Sequence, residues 1–304
     1  MMTNRAVLIL AFGGPRSLEE VEPFIKRVLK GREVPEAVIE GAKKRYAAIG
    51  GGSPLLAITE EQAELLEEGL KKRGEDVKVY MAMLNWHPSI EETLEKIAED
   101  GAERLYVLVM SSHTSPAATG GYKKAVEEAL KNKGRAMSVT FVECWHTHPL
   151  YIEALREKIK EALEEIGADE KTLVLFSAHS LPEELLSGDP YVRKLQETIE
   201  ALSSRMKLPT TRLAFQSKGG RGRWLGPQAE EVIEEAAKEG IRKICVVPLG
   251  FVADHVETLY DIDIAMKGLA ESLGVKFVRA GSLNTSDRFI QALVDVIWKK
   301  IRIS

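Results

Sequence analysis

The feature that most constrains the fold is a regular alternation of short apolar runs with longer amphipathic segments. Eight runs are rich in β-formers, and they lie at residues 6–12, 77–83, 105–110, 138–144, 172–176, 211–216, 243–249 and 275–279. Segments with helical periodicity separate them. This alternation predicts an α/β fold in which parallel strands are covered by helices on both faces.

The alternation occurs in two similar halves. Residues 100–110 resemble residues 239–249, and residues 138–155 resemble residues 275–293 in the same order. We therefore expect two similar Rossmann-like domains, each with a four-stranded parallel sheet, facing each other across a cleft. Their predicted bounds are 1–148 and 149–285. The repeat pairs the helix at 149–165 with the one at 286–302, so the C-terminal helix (286–304) is expected to pack back on the first domain.

Composition narrows the classes of function. The chain has 304 residues, 44% of them hydrophobic, and a formal net charge of −4. A mildly acidic balance gives no electrostatic reason to bind nucleic acid or an anionic membrane. The first residues lack the long hydrophobic region of a secretion signal, and no stretch approaches membrane-spanning length. We expect a cytoplasmic monomer with no membrane insertion and no nucleic-acid partner.

Cofactor signatures are missing from the sequence. The two cysteines are far apart, so neither a disulfide framework nor an iron–sulfur cluster is expected. The glycines at 13–14 and 50–52 match neither the dinucleotide fingerprint nor the P-loop, so no nucleotide is expected and they indicate tight turns. After the second turn, Thr59 with Gln62 three residues later has the pattern of a capping box and predicts a helix start.

One histidine stands at the end of a predicted strand. The run 172–176 is followed by Ser177-Ala178-His179-Ser180, and residues 181–184 have the composition of a first helical turn. In open α/β sheets, ligands bind outside the carboxyl ends of strands, where His179 is expected. A histidine that only caps the strand would give the same pattern, so this segment alone does not decide its role.

A second group of polar residues follows the strand at 243–249. Asp254 and Glu257 fit a helix start, while Glu257 and Asp261 are four residues apart and so share a helix face. Like charges at that spacing are unfavourable unless a cation or counter-charge lies nearby. An imidazole facing two carboxylates can hold a divalent transition metal loosely and can relay protons near neutral pH. A closed zinc site would need more Cys or His ligands.

Several motifs together resemble the ferrochelatase family, the iron-inserting enzymes of haem synthesis. They are LAFGGP at 10–15, YAAIGGGSP at 46–54, FSAHSLP at 176–182, GDPY at 188–191, QS at 216–217 with WLGP at 224–227, and DHVETLYD at 254–261. They lie in order and span nearly the whole chain.

The resemblance implies a lyase with two chelatase-type domains, a porphyrin in the cleft between them and Fe²⁺ as substrate. It implies that His179 and Glu257 are the catalytic pair that handles metal and protons, and that Asp261 extends the metal path. The family contacts the macrocycle or its carboxylates at positions that correspond to Phe12, Arg45, Tyr46, Ser53 and Tyr122. Without the resemblance, these five residues would be assigned to packing, a turn or a solvated helix charge.

The sequence also departs from the family pattern. Phe12 stands where coproporphyrin-type members carry an iron-ligating tyrosine, Leu29 replaces an arginine beside Lys30, and Ala265 replaces an acidic residue. The region 30–45 is polar and lacks the apolar lip of membrane-associated members. The chain thus resembles the compact soluble type. It differs in having Phe12 where that type carries a tyrosine that ligates iron from the far face of the porphyrin.

Three hypotheses follow. The first is an enzyme that inserts Fe²⁺ into coproporphyrin III or protoporphyrin IX, the choice of porphyrin being open, and a variant of it is a chelatase for another divalent metal. The second is a non-catalytic carrier of porphyrin or haem. The third is a hydrolase using Ser177 or Ser180, which is disfavoured because the chain has no G-x-S-x-G elbow there.

Overall fold

The computed structural model describes residues 4–30, 32–132, 137–220 and 222–303. The chain divides into two compact units, Met1–Trp145 with Asn284–Ser304, and His146–Leu283. Each unit contains one four-stranded parallel sheet with helices around it, which confirms the predicted α/β class. No helix among the described residues is long and apolar enough to cross a membrane.

The sheet of the first unit has the strand order β2-β1-β3-β4. Its strands are β1 (Arg5–Ala11), β2 (Lys78–Met83), β3 (Arg104–Val109) and β4 (Ser138–Val142). The two central strands are buried along almost their whole length because helices cover both faces of the sheet. The four predicted strands are confirmed, with ends that differ by one or two residues.

The described part of the first unit contains six helices. They are α1 (Leu18–Val28), α2 (Glu36–Ala48), α3 (Leu55–Lys72), α4 (Ile90–Glu99), α5 (Pro116–Asn132) and, near the C-terminus, α11 (Asp287–Ile303). The predicted start of α3 at Thr59 is wrong. That helix begins at Leu55, and the Thr59 hydroxyl donates to the Leu55 carbonyl at 2.7 Å from within the helix. Thr59 therefore bonds backward along the helix and does not cap it.

The sheet of the second unit has the order β6-β5-β7-β8. Its strands are β5 (Thr172–His179), β6 (Thr210–Gln216), β7 (Lys243–Pro248) and β8 (Lys276–Arg279). Counted within each half, this is the order found in the first unit, and the repeated segments provide β3 and β7. The expectation that β5 ends at Phe176 is wrong, because Ser177, Ala178 and His179 continue to pair with β6.

The helices of the second unit are α6 (Pro149–Ile166), α7 (Tyr191–Ser203), α8 (Ala229–Lys238), α9 (Val256–Leu259) and α10 (Lys267–Ser272). Residues 181–184 do not begin an α-helix as predicted. A short 3₁₀ turn covers Glu183–Leu185, and α7 begins only at Tyr191, whose backbone N–H donates to Asp189 Oδ1 at 2.9 Å. A π-helical segment, Asp261–Met266, joins α9 to α10.

Helix α11 packs on α3 in the first unit. A Cβ built on Gly69 would lie 2.3 Å from Cγ2 of Val294, so the two helices are in contact at a point where no side chain fits. Beside it, Arg73 and Asp295 form an ion pair of 2.7 Å. The C-terminal helix is thus fixed by close backbone approach and by a charge pair.

We predict that Gly69→Ala lowers the free energy of unfolding. The added methyl overlaps Val294 and outweighs the gain in helix propensity, for a net loss of about 1–2 kcal/mol. The matched control is Gly41→Ala in α2, where no atom lies within 4 Å of the new Cβ. That control is expected to stabilise by up to about 1 kcal/mol. Chemical denaturation of both variants measures the effect, and equal shifts would contradict the close approach.

Candidate metal and proton-transfer site

The site begins with the backbone at the carboxyl end of β5. His179 is the last residue of the strand and pairs with Gln216 at the end of β6. The Ser180 N–H donates to the Gln216 carbonyl at 2.8 Å, and the Tyr191 hydroxyl donates to the His179 carbonyl at 3.1 Å. Tyr191 comes from the GDPY motif and is buried. Hydrogen bonds from two directions therefore fix the backbone that carries the imidazole.

A close approach brings the second group of polar residues to the same sheet edge. After β7 the chain passes β5 so tightly that a Cβ on Gly250 would lie 3.0 Å from Cα of Ala178. Further along, the side-chain amide of Gln216 donates to the Glu257 carbonyl at 2.9 Å. The lack of a side chain at Gly250 lets the segment after β7 lie directly beside the end of β5.

The imidazole of His179 has one anchored and one available nitrogen. Nδ1 lies 2.5 Å from the Ser180 carbonyl, which only accepts hydrogen bonds, so Nδ1 carries the hydrogen. Nε2 faces Glu257, with 3.5 Å between Nε2 and Oε1. This is longer than a normal hydrogen bond between charged groups. The nitrogen that can bind a metal or exchange a proton therefore faces a carboxylate without a short hydrogen bond to it.

The carboxylate of Glu257 is incompletely satisfied. Its Oε2 is buried and has no hydrogen-bond partner among the described residues, although Nε2 of His255 lies 3.9 Å away. A buried carboxylate oxygen without a donor is costly. An incoming cation or proton would relieve that cost, so the unsatisfied oxygen is a natural point of arrival for either.

The two residues shift each other's protonation. Burial acts to lower the pKa of His179, but the charge of Glu257, and with less effect the Ser180 carbonyl and Asp261, raise that pKa to about 9. Burial acts to raise the pKa of Glu257, yet His179 and, after it, His255 hold it well below its usual range. At neutral pH the pair is therefore an imidazolium facing a carboxylate.

Asp261 begins the π-helical segment that follows α9. The Tyr260 carbonyl accepts from both Ile264 and Ala265, which is the local widening of the helix. Asp261 Oδ2 accepts from the Ser217 hydroxyl at 2.7 Å, and Ser217 has a left-handed backbone with φ of 57° just after β6. Within the described ranges, no three His, Cys, Asp or Glu side chains are grouped so that they could hold a metal. The arrangement is thus an open pair with an acidic neighbour.

Two of the other predicted contact residues, Phe12 and Ser53, follow the first strand and the second glycine turn of the first unit. Phe12 comes directly after β1, and its ring is 45% exposed and in edge contact with Phe24. Ser53 joins the two glycine turns, because its N–H donates to the Pro15 carbonyl at 2.7 Å. A Cβ on Gly14 would lie 2.7 Å from Cβ of Ser53. The two glycine-rich motifs therefore form one packed unit beside Phe12.

The remaining predicted contact residues differ in exposure. Arg45 and Tyr46 both lie near the end of α2, where Arg45 is exposed and Tyr46 is only 4% exposed. Tyr122 on α5 is partly buried against the hydrophobic core of the first unit, and burial raises the pKa of its hydroxyl. Arg45 is therefore open to a ligand, while the two tyrosines serve at least in packing.

Sequence reasoning missed two supports of this site. Arg279, at the end of β8, forms ion pairs with Asp254 and Asp263, which flank Glu257 and Asp261 in the sequence. Gln216 was noted only as part of a motif, and its amide holds the backbone of Glu257. A buried arginine on an edge strand has no distinguishing spacing, so no signal in the sequence alone identifies Arg279.

We predict that Glu257→Gln lowers the pKa of His179 from about 9 to near or below its ordinary value of 6.5. Removing the carboxylate charge leaves burial as the main influence on the imidazole. Titration followed by NMR of the histidine ring measures the shift.

In the intact protein the raised pKa of His179 contributes stability that is fully present below pH 6.5 and is lost as pH rises through about 9. Unchanged titration of His179 in Glu257→Gln would contradict the charge pairing.

Comparison with known proteins identifies the family. The family model for ferrochelatase matches residues 4–301. A ferrochelatase of Geobacter metallireducens is 40% identical, over 98% of this chain and 99% of its own length. A ferrochelatase of Deinococcus radiodurans is 35% identical, over 98% of both chains.

Solved structures with low identity support the fold. The SirB protein of Bacillus subtilis, solved with Fe³⁺, superposes with a TM-score of 0.59 at 15% identity, covering 98% of this chain and 95% of that one. At this identity the likeness concerns the fold alone. The family match and the full-length relatives go further, and they show that this chain belongs to the ferrochelatase family of lyases, which insert iron into a porphyrin.

Proposed function

We propose that this chain inserts Fe²⁺ into a free-base porphyrin in haem biosynthesis, with His179 and Glu257 as the residues that receive the metal and the protons. The observation that carries the proposal is the loose pair itself. Nε2 of His179 stands 3.5 Å from Glu257, and the second oxygen of that carboxylate is buried without a donor. A pair so weakly satisfied gains from a cation that arrives between its members.

The reaction releases two protons for each metal inserted. A free-base porphyrin carries two pyrrole N–H groups, and both protons leave when Fe²⁺ takes the four nitrogens. The approach of a dication beside Glu257 disfavours the imidazolium, so His179 would release its Nε2 proton to solvent, which leaves that nitrogen free to act as a ligand or as a base. Nε2 and the carboxylate then provide two acceptors for the pyrrole protons.

Asp261 extends the proposed path. Its charge helps to raise the pKa of His179. It lies four positions after Glu257, and its carboxylate accepts a hydrogen bond from the Ser217 hydroxyl. We infer that Asp261 draws Fe²⁺ toward the pair or takes protons away from it. Ala265 contributes no further carboxylate, so the acidic path has one member fewer than the family pattern.

The porphyrin is proposed to contact Phe12, Arg45, Ser53, Tyr46 and Tyr122 in the first unit. The exposed ring of Phe12 offers an apolar surface for stacking but no oxygen for iron. Arg45 is exposed and suits a porphyrin carboxylate. Tyr46 and Tyr122 are packed, so their contribution is to shape the wall.

The identity of the porphyrin substrate is tested by anaerobic metallation of coproporphyrin III and protoporphyrin IX side by side, with absorbance as the readout. Turnover of either with Fe²⁺ supports the proposal, and the ratio of kcat/KM identifies the substrate. Parallel assays with Co²⁺ and Zn²⁺ test a chelatase for another metal. Tight stoichiometric haem binding without any metallation would support the carrier hypothesis and overturn the enzyme.

We predict that His179→Ala lowers kcat for iron insertion by at least about 100-fold, because it removes both a proton acceptor and a metal ligand. Porphyrin binding and the fold are expected to persist, as checked by fluorescence quenching and circular dichroism. The matched control is His87→Ala, since His87 is 54% exposed and pairs with Glu92 at the surface. Turnover like that of the wild type in His179→Ala would exclude the proposed role.

A further inference from the structure

Arg279 occupies a buried position at the end of β8. Its side chain is 12% exposed, and it forms a two-pronged contact with Asp263, with Nε to Oδ1 at 2.7 Å and Nη2 to Oδ2 at 2.9 Å. Its third nitrogen, Nη1, reaches Asp254 Oδ1 at 3.0 Å. One guanidinium therefore joins two carboxylates that are nine positions apart in the chain.

Those two carboxylates enclose the proposed metal residues in the sequence. Glu257 lies three positions after Asp254, and Asp261 lies two positions before Asp263. Asp254 also accepts from the hydroxyls of Thr258 at 3.0 Å and Ser282 at 2.7 Å. The segment 254–263 is thus tied at both ends to β8 and to the residues that follow it.

The segment 254–263 needs contacts from outside itself to be stable. Helix α9 has four residues and the π-helical segment has six, too few for either to be stable by its own hydrogen bonds. Four acidic residues fall within these ten positions, so their mutual repulsion opposes the turn. A planar guanidinium can bond two carboxylates at fixed angles, which the point charge of a lysine cannot do.

We propose that Arg279 is a positioning residue that clamps segment 254–263 and thereby sets where Glu257 and Asp261 stand relative to His179. The inference rests on the proposed function for its catalytic consequence, but the clamp itself is a property of the fold. Arg279 touches neither His179 nor Glu257 in the contacts above, so its effect passes through the backbone between Asp254 and Asp263.

The experiment compares Arg279→Met, Arg279→Lys and Asp263→Asn with a control, Arg212→Met. Arg212 on β6 is likewise partly buried and pairs with two carboxylates, but these are Glu235 on α8 and Glu239 at the C-cap of that helix. Three readouts are hydrogen exchange of the amides in 254–263, binding of Co²⁺ without porphyrin, and KM for Fe²⁺ against KM for porphyrin.

Arg279→Met is expected to speed amide exchange in 254–263. It is also expected to weaken Co²⁺ binding and kcat/KM for Fe²⁺ by about 10-fold, the lower end of the cost of losing a direct outer partner of a metal ligand, because Arg279 bonds the segment and not a proposed ligand itself. KM for porphyrin is expected to stay within about twofold, since uniform damage to the fold would raise both. Arg279→Lys is expected to fall between Arg279→Met and wild type. Arg212→Met is expected to match wild type in all three readouts.

Unchanged exchange and unchanged Co²⁺ binding in Arg279→Met would overturn the clamp. If Arg279→Met does not fold, Asp263→Asn decides, because it keeps the size of the side chain while it removes the charge and replaces one of the two acceptor oxygens with a donor. If wild type inserts no iron, the proposed function fails, and exchange in 254–263 still decides the clamp. Loss of Co²⁺ binding with normal exchange in 254–263 would also count against it.

Discussion

The charge pair of His179 and Glu257 is held in place by backbone contacts and not by a tight bond between its own atoms. β5 is paired on both sides, Ser180 and Tyr191 bond its end, and Gln216 holds the backbone of Glu257. The two side chains can therefore face each other at 3.5 Å without closing. Gly250, which lies beside Ala178, and the Ser217 hydroxyl, which donates to Asp261, contribute to the same arrangement.

The repeated sheet explains how one scaffold provides two different surfaces. β1 and β5 take the same central place in sheets of the same order. At the end of β1 the chain continues with Phe12 and a pair of glycines, whereas β5 ends with His179. The same position of the repeated scaffold therefore presents an apolar ring in one unit and an imidazole in the other.

Much of this fold follows from the sequence because apolar periodicity depends on local burial. All eight strands were predictable from short apolar runs rich in β-formers, and their parallel arrangement was predictable from the helical segments between them. The predicted bounds of two elements were wrong. β5 continues to His179 because β6 pairs with it, and α3 begins at Leu55 although Thr59 and Gln62 have the spacing of a cap. His179 and Glu257 were identifiable by motif, but Arg279 was not, since its partners come from a separate segment.

The incomplete satisfaction of Glu257 has a kinetic consequence. A metal held by one nitrogen and a loosely placed carboxylate leaves quickly, because few bonds must break for it to depart. Short residence suits a protein that transfers a metal to another acceptor. The four nitrogens of a macrocycle then retain the metal because it dissociates from them more slowly than from the protein. Under the proposed function, a site that bound the metal more tightly would slow transfer of the metal to the porphyrin.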